Sequence, residues 1–192
     1  MIEGLAKRFL ARLSKSKSAP GLAVGSVVAR SPYLLVDVSI ISVHDAGTGI
    51  QRVVRAISHE LSAMVGCGYD IRFVGGTRRR PYRPVSYASR EPLEGEALSQ
   101  LQPGDIFLGL DFCSGVLPAN RGQIQVWRCR GVRCYYLCYD LLPDSNPEWF
   151  TRKAVSNYRR WLRFVAAYSD GFVCISRFVQ GQLHDALARL GV

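Results

Sequence analysis

No apolar run in the 192-residue sequence reaches the roughly 18 residues that suggest a membrane-crossing helix. No C-x-x-C pair occurs among its six cysteines, Cys67, Cys113, Cys129, Cys134, Cys138 and Cys174. That spacing argues against a metal site or a disulfide framework. The apolar settings "YYLCYD" and "GFVCIS" suit buried, reduced thiols instead. A reducing cytoplasm is therefore the expected compartment. The N-terminus lacks the apolar core and small-residue cleavage site of a secretory signal. There is no internal repeat, no low-complexity tract, and no Gly-Lys-Ser/Thr to complete a phosphate loop. Acidic residues are scarce in one half only: residues 1–90 carry 14 Lys/Arg against 5 Asp/Glu, and residues 91–192 carry 11 against 10. Most of the net charge of +10 thus lies in the first half, which predicts an acidic partner there. Nucleic acid, anionic lipid and phosphorylated substrates are the candidates. No nucleic-acid-binding motif accompanies the charge, so no nucleic acid is expected.

What is present is a globular composition, 48% hydrophobic with mean hydropathy +0.04, at a length that suits one domain with a substantial core. Residues 1–21 stand apart from the rest. Ile2, Leu5, Ala6, Phe9, Leu10 and Leu13 recur at helical spacing, and Lys7, Arg8, Arg12 and Lys15 fall largely elsewhere. A helix of this kind either docks on a core or lies on an anionic membrane surface. "SKSKSAPG", residues 14–21, reads as a linker.

From residue 31 to the C-terminus, apolar strands alternate with helices. The strands are "YLLVDVSI", "YDIRFVGG", "DIFLGLD", "VRCYYLCYD" and "GFVCI". The helices are "GIQRVVRAISHELSAMVG", with Ile50, Val53, Val54, Ile57 and Leu61 on one face, a short one in "LEGEALSQLQPGD", a weak one near 118–130, "EWFTRKAVSNYRRWLRFVAAY" and "SRFVQGQLHDALARL". Trp149, Phe150 and Trp161 read as packing residues. This pattern predicts an α/β, Rossmann-like fold: a mostly parallel sheet covered by helices on both faces. Such sheets bind ligands at the carboxyl ends of their strands. That rule selects the loops after Ser39, Gly75, Asp111 and Asp140.

In the first of these loops, "HDAGTGIQRVVR", Gly47 and Gly49 flank Thr48 at a strand-to-helix junction. Backbone N–H groups and the helix dipole attract an anion at such a point, and Arg52 and Arg55 add charge. A tight turn that merely needs glycine explains the spacing equally well. His44 and Asp45 share the loop, and a lone histidine there is more often a surface residue. Asp111 and Asp140 end their strands as rim carboxylates; each either acts on a substrate or fixes its own loop. Ser176 reads first as a helix cap. The loop "TRRRPYRP" carries Arg78, Arg79, Arg80 and Arg83, either as a solvated face or, with Lys7, Arg8 and Arg12, as a contact for anionic lipid.

Four fragments in order, "LLVDVSIISVHDAGTGIQRVVRAISHEL", "PGDIFLGLDF", "YYLCYDLLPDSNPEWF" and "SDGFVCISRFV", resemble the N-terminal half of bacterial retaining glycosyltransferases of the GT-B fold. The resemblance is to the family 4 (group 1) type, in the variety that carries "TGIQRV" after its first strand. It implies an acceptor-side domain at residues 31–192, facing a C-terminal domain that binds a nucleotide-sugar. Gly47, Thr48 and Gly49 would then approach the donor, with Arg52 a phosphate partner. Asp140 would be the candidate catalytic carboxylate on the acceptor side, with Asp111, Ser176 and Arg177 along the same rim. Related enzymes often carry a histidine where this sequence has Tyr139-Asp140. No metal or cofactor is implied beyond the nucleotide-sugar co-substrate. The expected acceptor is a glycan or lipid-linked glycan, handled in the cytoplasm or at the inner face of the membrane. The donor domain is expected to be absent from this chain. The chain reads as a truncated or frameshifted product before one subunit of a split enzyme, completed by a separate C-terminal half, or a half-domain retained for binding. The alternative is a non-catalytic remnant, or a module that docks on membrane or partner through its basic face.

Overall fold

The computed structural model describes Gly4 and residues 7–11, 30–89, 91, 93 and 98–192. Arg12, the linker expected at 14–21, and residues 94–97 of the helix expected after Leu93 lie outside them. Six strands form one sheet: β1 Tyr33–Asp37, β2 Asp70–Gly75, β3 Arg83–Pro84, β4 Ile106–Gly109, β5 Arg133–Cys138 and β6 Gly171–Cys174. Their order is β3-β2-β1-β4-β5-β6. Every neighbouring pair is parallel except β2 with β3. The mostly parallel, Rossmann-like α/β sheet is thus present. Strand β3 lies inside the Pro/Arg-rich stretch read as a loop. Its Pro84 offers no N–H, which an outermost strand tolerates.

The helices are α1 Gly49–Ser62, α2 Val116–Ala119, α3 Arg121–Cys129, α4 Leu142–Ser145, α5 Arg152–Tyr168 and α6 Arg177–Arg189. The single weak helix expected near 118–130 is two short ones, meeting at Asn120. The long helix begins at Arg152 rather than at Glu148, because the Thr151 hydroxyl accepts the Ala154 N–H at 3.2 Å and caps it there. Trp149 consequently ends a short 3-10 turn, Pro147–Trp149, ahead of the helix and is 66% exposed, while Trp161 is buried as expected. On α1 the buried face is Gln51, Val54, Ile57, Ser58 and Leu61, so Ile50 and Val53 are only partly covered.

Because side chains alternate across a strand, two cores form on the two faces of the sheet. On one face Leu34, Val36, Ile106, Leu108 and Leu137 pack against Val54, Ile57 and Leu61 of α1. Phe9 and Leu10, on the helical residues 7–11, join that core, and the Phe9 ring meets Tyr135 edge-on at 5.7 Å. Phe9 and Leu10 of the basic N-terminal segment are therefore docked on the protein's own sheet, and Ile2, Leu5, Ala6 and Leu13 lie outside the described residues. Lys7 and Arg8 remain exposed. On the other face Leu35, Phe107, Cys134 and Tyr136 pack against α3, α5 and α6. Phe107 sits at its centre, 5.4 Å from both Tyr82 and Trp127 and 6.1 Å from Tyr136. Among the described residues no helix is long and apolar enough to cross a membrane.

At the amino end of the sheet the buried Asp105 joins three segments. Its carboxylate accepts Arg30 at 2.9 and 2.6 Å, the Tyr33 N–H at 2.7 Å and the Gln102 N–H at 2.8 Å. The Arg30 guanidinium also lies 3.6 Å over the Tyr33 ring. This end is closed, and the opposite end carries the open loops.

Packing at β4 and β5 leaves no spare volume. A Cβ on Gly109 would stand 2.9 Å from Tyr136 Cε1 and closer still to Cδ1. Gly109→Ala is expected to destabilise the fold by about 1–3 kcal/mol through overpacking, read by chemical denaturation. An unchanged midpoint would show that the Tyr136 ring moves aside without cost.

Candidate functional site

The strand order reverses direction at β1, since β2 lies on one side of it and β4 on the other. In such sheets the crevice at the carboxyl ends of those two strands is the usual ligand position. Here both strands end in a carboxylate: β1 at Asp37, fully buried, and β4 just before Asp111, 4% exposed.

Asp37 organises three loops. Its Oδ1 accepts the Ser39 N–H at 2.9 Å and the Ser39 hydroxyl at 2.6 Å; its Oδ2 accepts the Tyr82 hydroxyl at 2.8 Å. Ser39 Oγ in turn accepts the Gly76 N–H at 2.9 Å, which ties the end of β2 to the end of β1. Asp111 Oδ2 accepts the N–H groups of Ile40 and Ile41, both at 2.8 Å, and fixes the turn that follows β1. Asp111 therefore clamps a loop and is covered by it.

Beyond that turn lies the Gly-Thr-Gly junction. Thr48 is the N-cap of α1 in a capping box: its hydroxyl accepts the Gln51 N–H at 3.3 Å, and Gln51 Oε1 accepts the Thr48 N–H at 3.2 Å. Gln51 Nε2 also donates to the His44 carbonyl at 2.7 Å, which explains why this polar residue is buried. Asp45 accepts the Gly47 N–H at 3.1 Å and Arg55 at 3.0 Å. Gly47 has φ +66, a conformation that side chains rarely adopt, so the protein itself requires glycine there. Gly49 differs. It is the first helical residue, and no protein atom lies within 4 Å of where its Cβ would be. Nothing in the protein requires glycine at 49. Helix geometry leaves the N–H groups of Gly49 and Ile50 without intrahelical partners. Arg52 Nε donates to the Gly47 carbonyl at 3.3 Å, which holds the guanidinium over the turn.

The other sequence candidates lie along the same edge. Asp140 Oδ1 accepts the Leu142 N–H at 3.0 Å, and its carbonyl accepts the Tyr158 hydroxyl at 2.7 Å. Ser176 caps α6, its hydroxyl accepting the Val179 N–H at 3.1 Å, and Arg177 beside it is exposed. Arg78, Arg79 and Arg80 line a groove of about 410 Å³ with Ser39, Ser42 and Gly76, at the end of β2. They belong to the carboxyl edge, whereas Lys7 and Arg8 belong to the helix docked on the sheet face. Among the described residues no group of three or more His, Cys, Asp or Glu is placed to hold a metal.

Asp37, Ser39 and Tyr82 did not stand out as site residues in the sequence. One signal was there to read: "LLVD" and "LGLD" are apolar strands that each end in aspartate. The partner Tyr82, distant in sequence, left no such mark.

Over 174 residues the chain is 31% identical to a serotype-specific mannosyltransferase WbdA of Escherichia coli, an alignment covering 82% of this chain and 21% of that protein. Two further WbdA sequences of Escherichia coli match over 150 residues at 31% and 30% identity, covering 76% of this chain and 18% of each relative. Over most of its length the chain is a homologue of these mannosyltransferases. It spans about a fifth of the length of the curated relatives it matches. No protein-family model matches the chain, and no solved structure does.

Burial above all, and then repulsion from Asp111, pushes the Asp37 carboxyl up to about 7; the hydrogen bonds from Ser39 and Tyr82 pull the other way. Burial raises the Asp111 carboxyl as well. The folded chain thus holds the Asp37 proton more tightly than the unfolded chain, where an aspartate titrates near 3.9. The stability from this proton is complete below about pH 4 and is lost as pH rises to about 7. Asp37→Asn, which keeps an acceptor for Ser39, removes that dependence. Thermal melts between pH 5 and 8 should show the wild type losing stability relative to the variant as pH rises. Parallel curves would contradict an Asp37 that titrates in this range.

Proposed function

We propose that the chain is the N-terminal, acceptor-side domain of a retaining glycosyltransferase of the GT-B fold and the family 4 (group 1) type. It would transfer a mannosyl or related hexosyl group from a nucleoside-diphosphate sugar to a hydroxyl of a glycan or lipid-linked acceptor. The observation that carries this reading is the 31% identity to a mannosyltransferase over 174 residues of the chain. The open carboxyl edge and the unfilled space at Gly49 fit it.

In this reading a donor-binding domain, in the same polypeptide or a separate one, faces the carboxyl edge. Val43 and Trp149, 76% and 66% exposed between elements of that edge, and Phe178, 74% exposed in the first turn of α6, supply apolar surface for such a neighbour. The donor diphosphate meets the N–H groups of Gly49 and Ile50, the positive end of α1 and the Arg52 guanidinium. As the bond from the anomeric carbon to the phosphate oxygen breaks, its electron pair stays on the departing diphosphate. Donors already fixed in place stabilise that charge. Thr48 acts indirectly, by holding the turn. On the acceptor side Asp140 keeps Oδ1 on Leu142 and leaves Oδ2 to receive the proton of the attacking hydroxyl. Ser176, Arg177 and the loop clamped by Asp111 shape the same rim. The reading calls on no cofactor beyond the nucleotide-sugar, and it places the work in the cytoplasm, at the inner face of the membrane where the acceptor is lipid-linked.

Two variants separate function from folding. Gly49→Ala should leave stability within about 1 kcal/mol, since helix propensity favours alanine and space is free. Transfer from nucleoside-diphosphate mannose by the enzyme completed with its donor domain should nonetheless fall at least about tenfold, a loss of about 1.4 kcal/mol in transition-state binding. Full transfer by Gly49→Ala would remove the donor from this turn. Asp140→Asn keeps the Oδ1 acceptor for Leu142, so it should fold as the wild type and lose about 100-fold in rate. Wild-type activity in that variant would leave Asp140 with its loop alone.

A further inference from the structure

Among the described residues, the arginines after β2 are gathered at one place without acidic partners. Arg30, Arg55, Arg72, Arg128, Arg159 and Arg189 each reach an aspartate within 3.2 Å. Among the described residues Arg78, Arg79, Arg80 and Arg83 make no salt bridge, and all four line one groove of about 410 Å³. Gly75 and Gly76 line it as well. A Cβ on Gly75 would meet Val85 at 3.3 Å and Ser42 Oγ at 3.6 Å, both of which line the groove. A Cβ on Gly76 would meet Tyr82 and Val116 at 3.3 Å.

The loop that presents these charges is held on both sides. Thr77 Oγ1 accepts the N–H groups of Arg79 at 3.2 Å and Arg80 at 2.9 Å, and the Thr77 N–H donates to the Arg80 carbonyl at 2.9 Å. Asn120 Nδ2 donates to the Thr77 carbonyl at 2.9 Å. Gln123 and the Tyr82 backbone exchange hydrogen bonds of 2.7 and 2.9 Å. The Arg78 stem lies along Gly115, its Cδ 3.4 Å from where a Cβ would be. Fixed in this way, four cations repel one another with no internal compensation. The arrangement becomes favourable when an anion of at least two charges enters. Guanidinium forks match phosphoryl oxygens in pairs, and a concave wall of Ser39 and Ser42 selects a discrete group over a flat charged surface. Val43, Pro81 and Val85 add apolar contact for the organic chain that carries the phosphoryl group.

We propose that this groove binds a phosphoryl group, a diphosphate or its equivalent, carried by the acceptor. The proposal rests on the acceptor-side reading of the domain and names the acceptor's chemical class. It separates the roles of the two basic features: Arg52 for the donor, Arg78–Arg80 and Arg83 for the acceptor's anion.

The test is binding, without donor and without transfer, so it stands or falls apart from the Gly49 experiment. Calorimetric titration of the wild-type chain with inorganic pyrophosphate should give saturable binding. The triple variant R78Q/R79Q/R80Q should weaken it at least tenfold while melting no lower than the wild type. The charge-matched variant R152Q/R160Q/R163Q, on α5, should bind as the wild type does. No binding, equal binding by the groove variant, or equal loss in both variants would overturn the proposal. Vesicles then distinguish the sources of the group. Capture by neutral vesicles doped with a prenyl diphosphate, competed by pyrophosphate, identifies a lipid-linked acceptor. Pyrophosphate binding with no such capture identifies a soluble phosphorylated one. Equal capture by vesicles carrying the same charge as phosphatidylglycerol would replace the groove with general attraction to a membrane, and so overturn it.

Discussion

The arrangement at the carboxyl edge depends on one buried carboxylate. Asp37 stands at the end of the central strand, fully covered, with every hydrogen bond it makes directed at a loop or at a residue that holds one. Through Ser39 it reaches Gly76 and the end of β2; through Tyr82 it reaches the segment that leads to β3. A second carboxylate, Asp111, holds the turn after β1 from the neighbouring strand. Two carboxylates so close repel each other, and burial amplifies the repulsion. A protein optimised only for stability would avoid this pairing. The pair sits where the strand order reverses.

That edge is organised as a division of labour between neighbouring loops. The loop after β1 ends in a helix whose cap is satisfied by Thr48 and Gln51, so the turn keeps its shape without a ligand. The loop after β2 gathers unpaired cations, and the loop after β5 offers an aspartate with one oxygen engaged. The opposite edge shows the contrast. There Asp105 is buried too, but Arg30 neutralises it and three segments close over it. One end of the sheet is sealed by paired charge, and the other is left with like charges held apart by backbone bonds.

Much of the fold was legible because its signals are local. Continuous apolar strands such as "YLLVD" and "RCYYLC" announce burial on both faces, and Ser176 marks a helix start by cap chemistry. Long-range pairing was less visible. Strand β3 hides among prolines and arginines because only its partner β2 makes it a strand. Trp149 looked like a packing residue by type, yet the Thr151 cap starts the helix after it and leaves it exposed at the end of a 3-10 turn. The membrane-like pattern of the N-terminal helix was real amphipathicity, and Phe9 and Leu10 direct it to the sheet. At the Gly-Thr-Gly turn the need for glycine at 47 was readable from spacing, and the Thr48 cap was not. The role of Asp37 was not, because it follows from Tyr82 and Gly76, neither of them close in sequence.

The chain is homologous to mannosyltransferases over most of its length, and its mostly parallel sheet carries loops at its carboxyl edge. The central claim is that the donor diphosphate rests on the turn before α1. The most direct measurement is a crystal structure of the chain with its donor-binding domain and an unreactive nucleoside-diphosphate mannose. The account predicts phosphate oxygens within hydrogen-bonding distance of the Gly49 N–H and the Arg52 guanidinium. A diphosphate bound elsewhere, with this turn empty and unchanged, would contradict it.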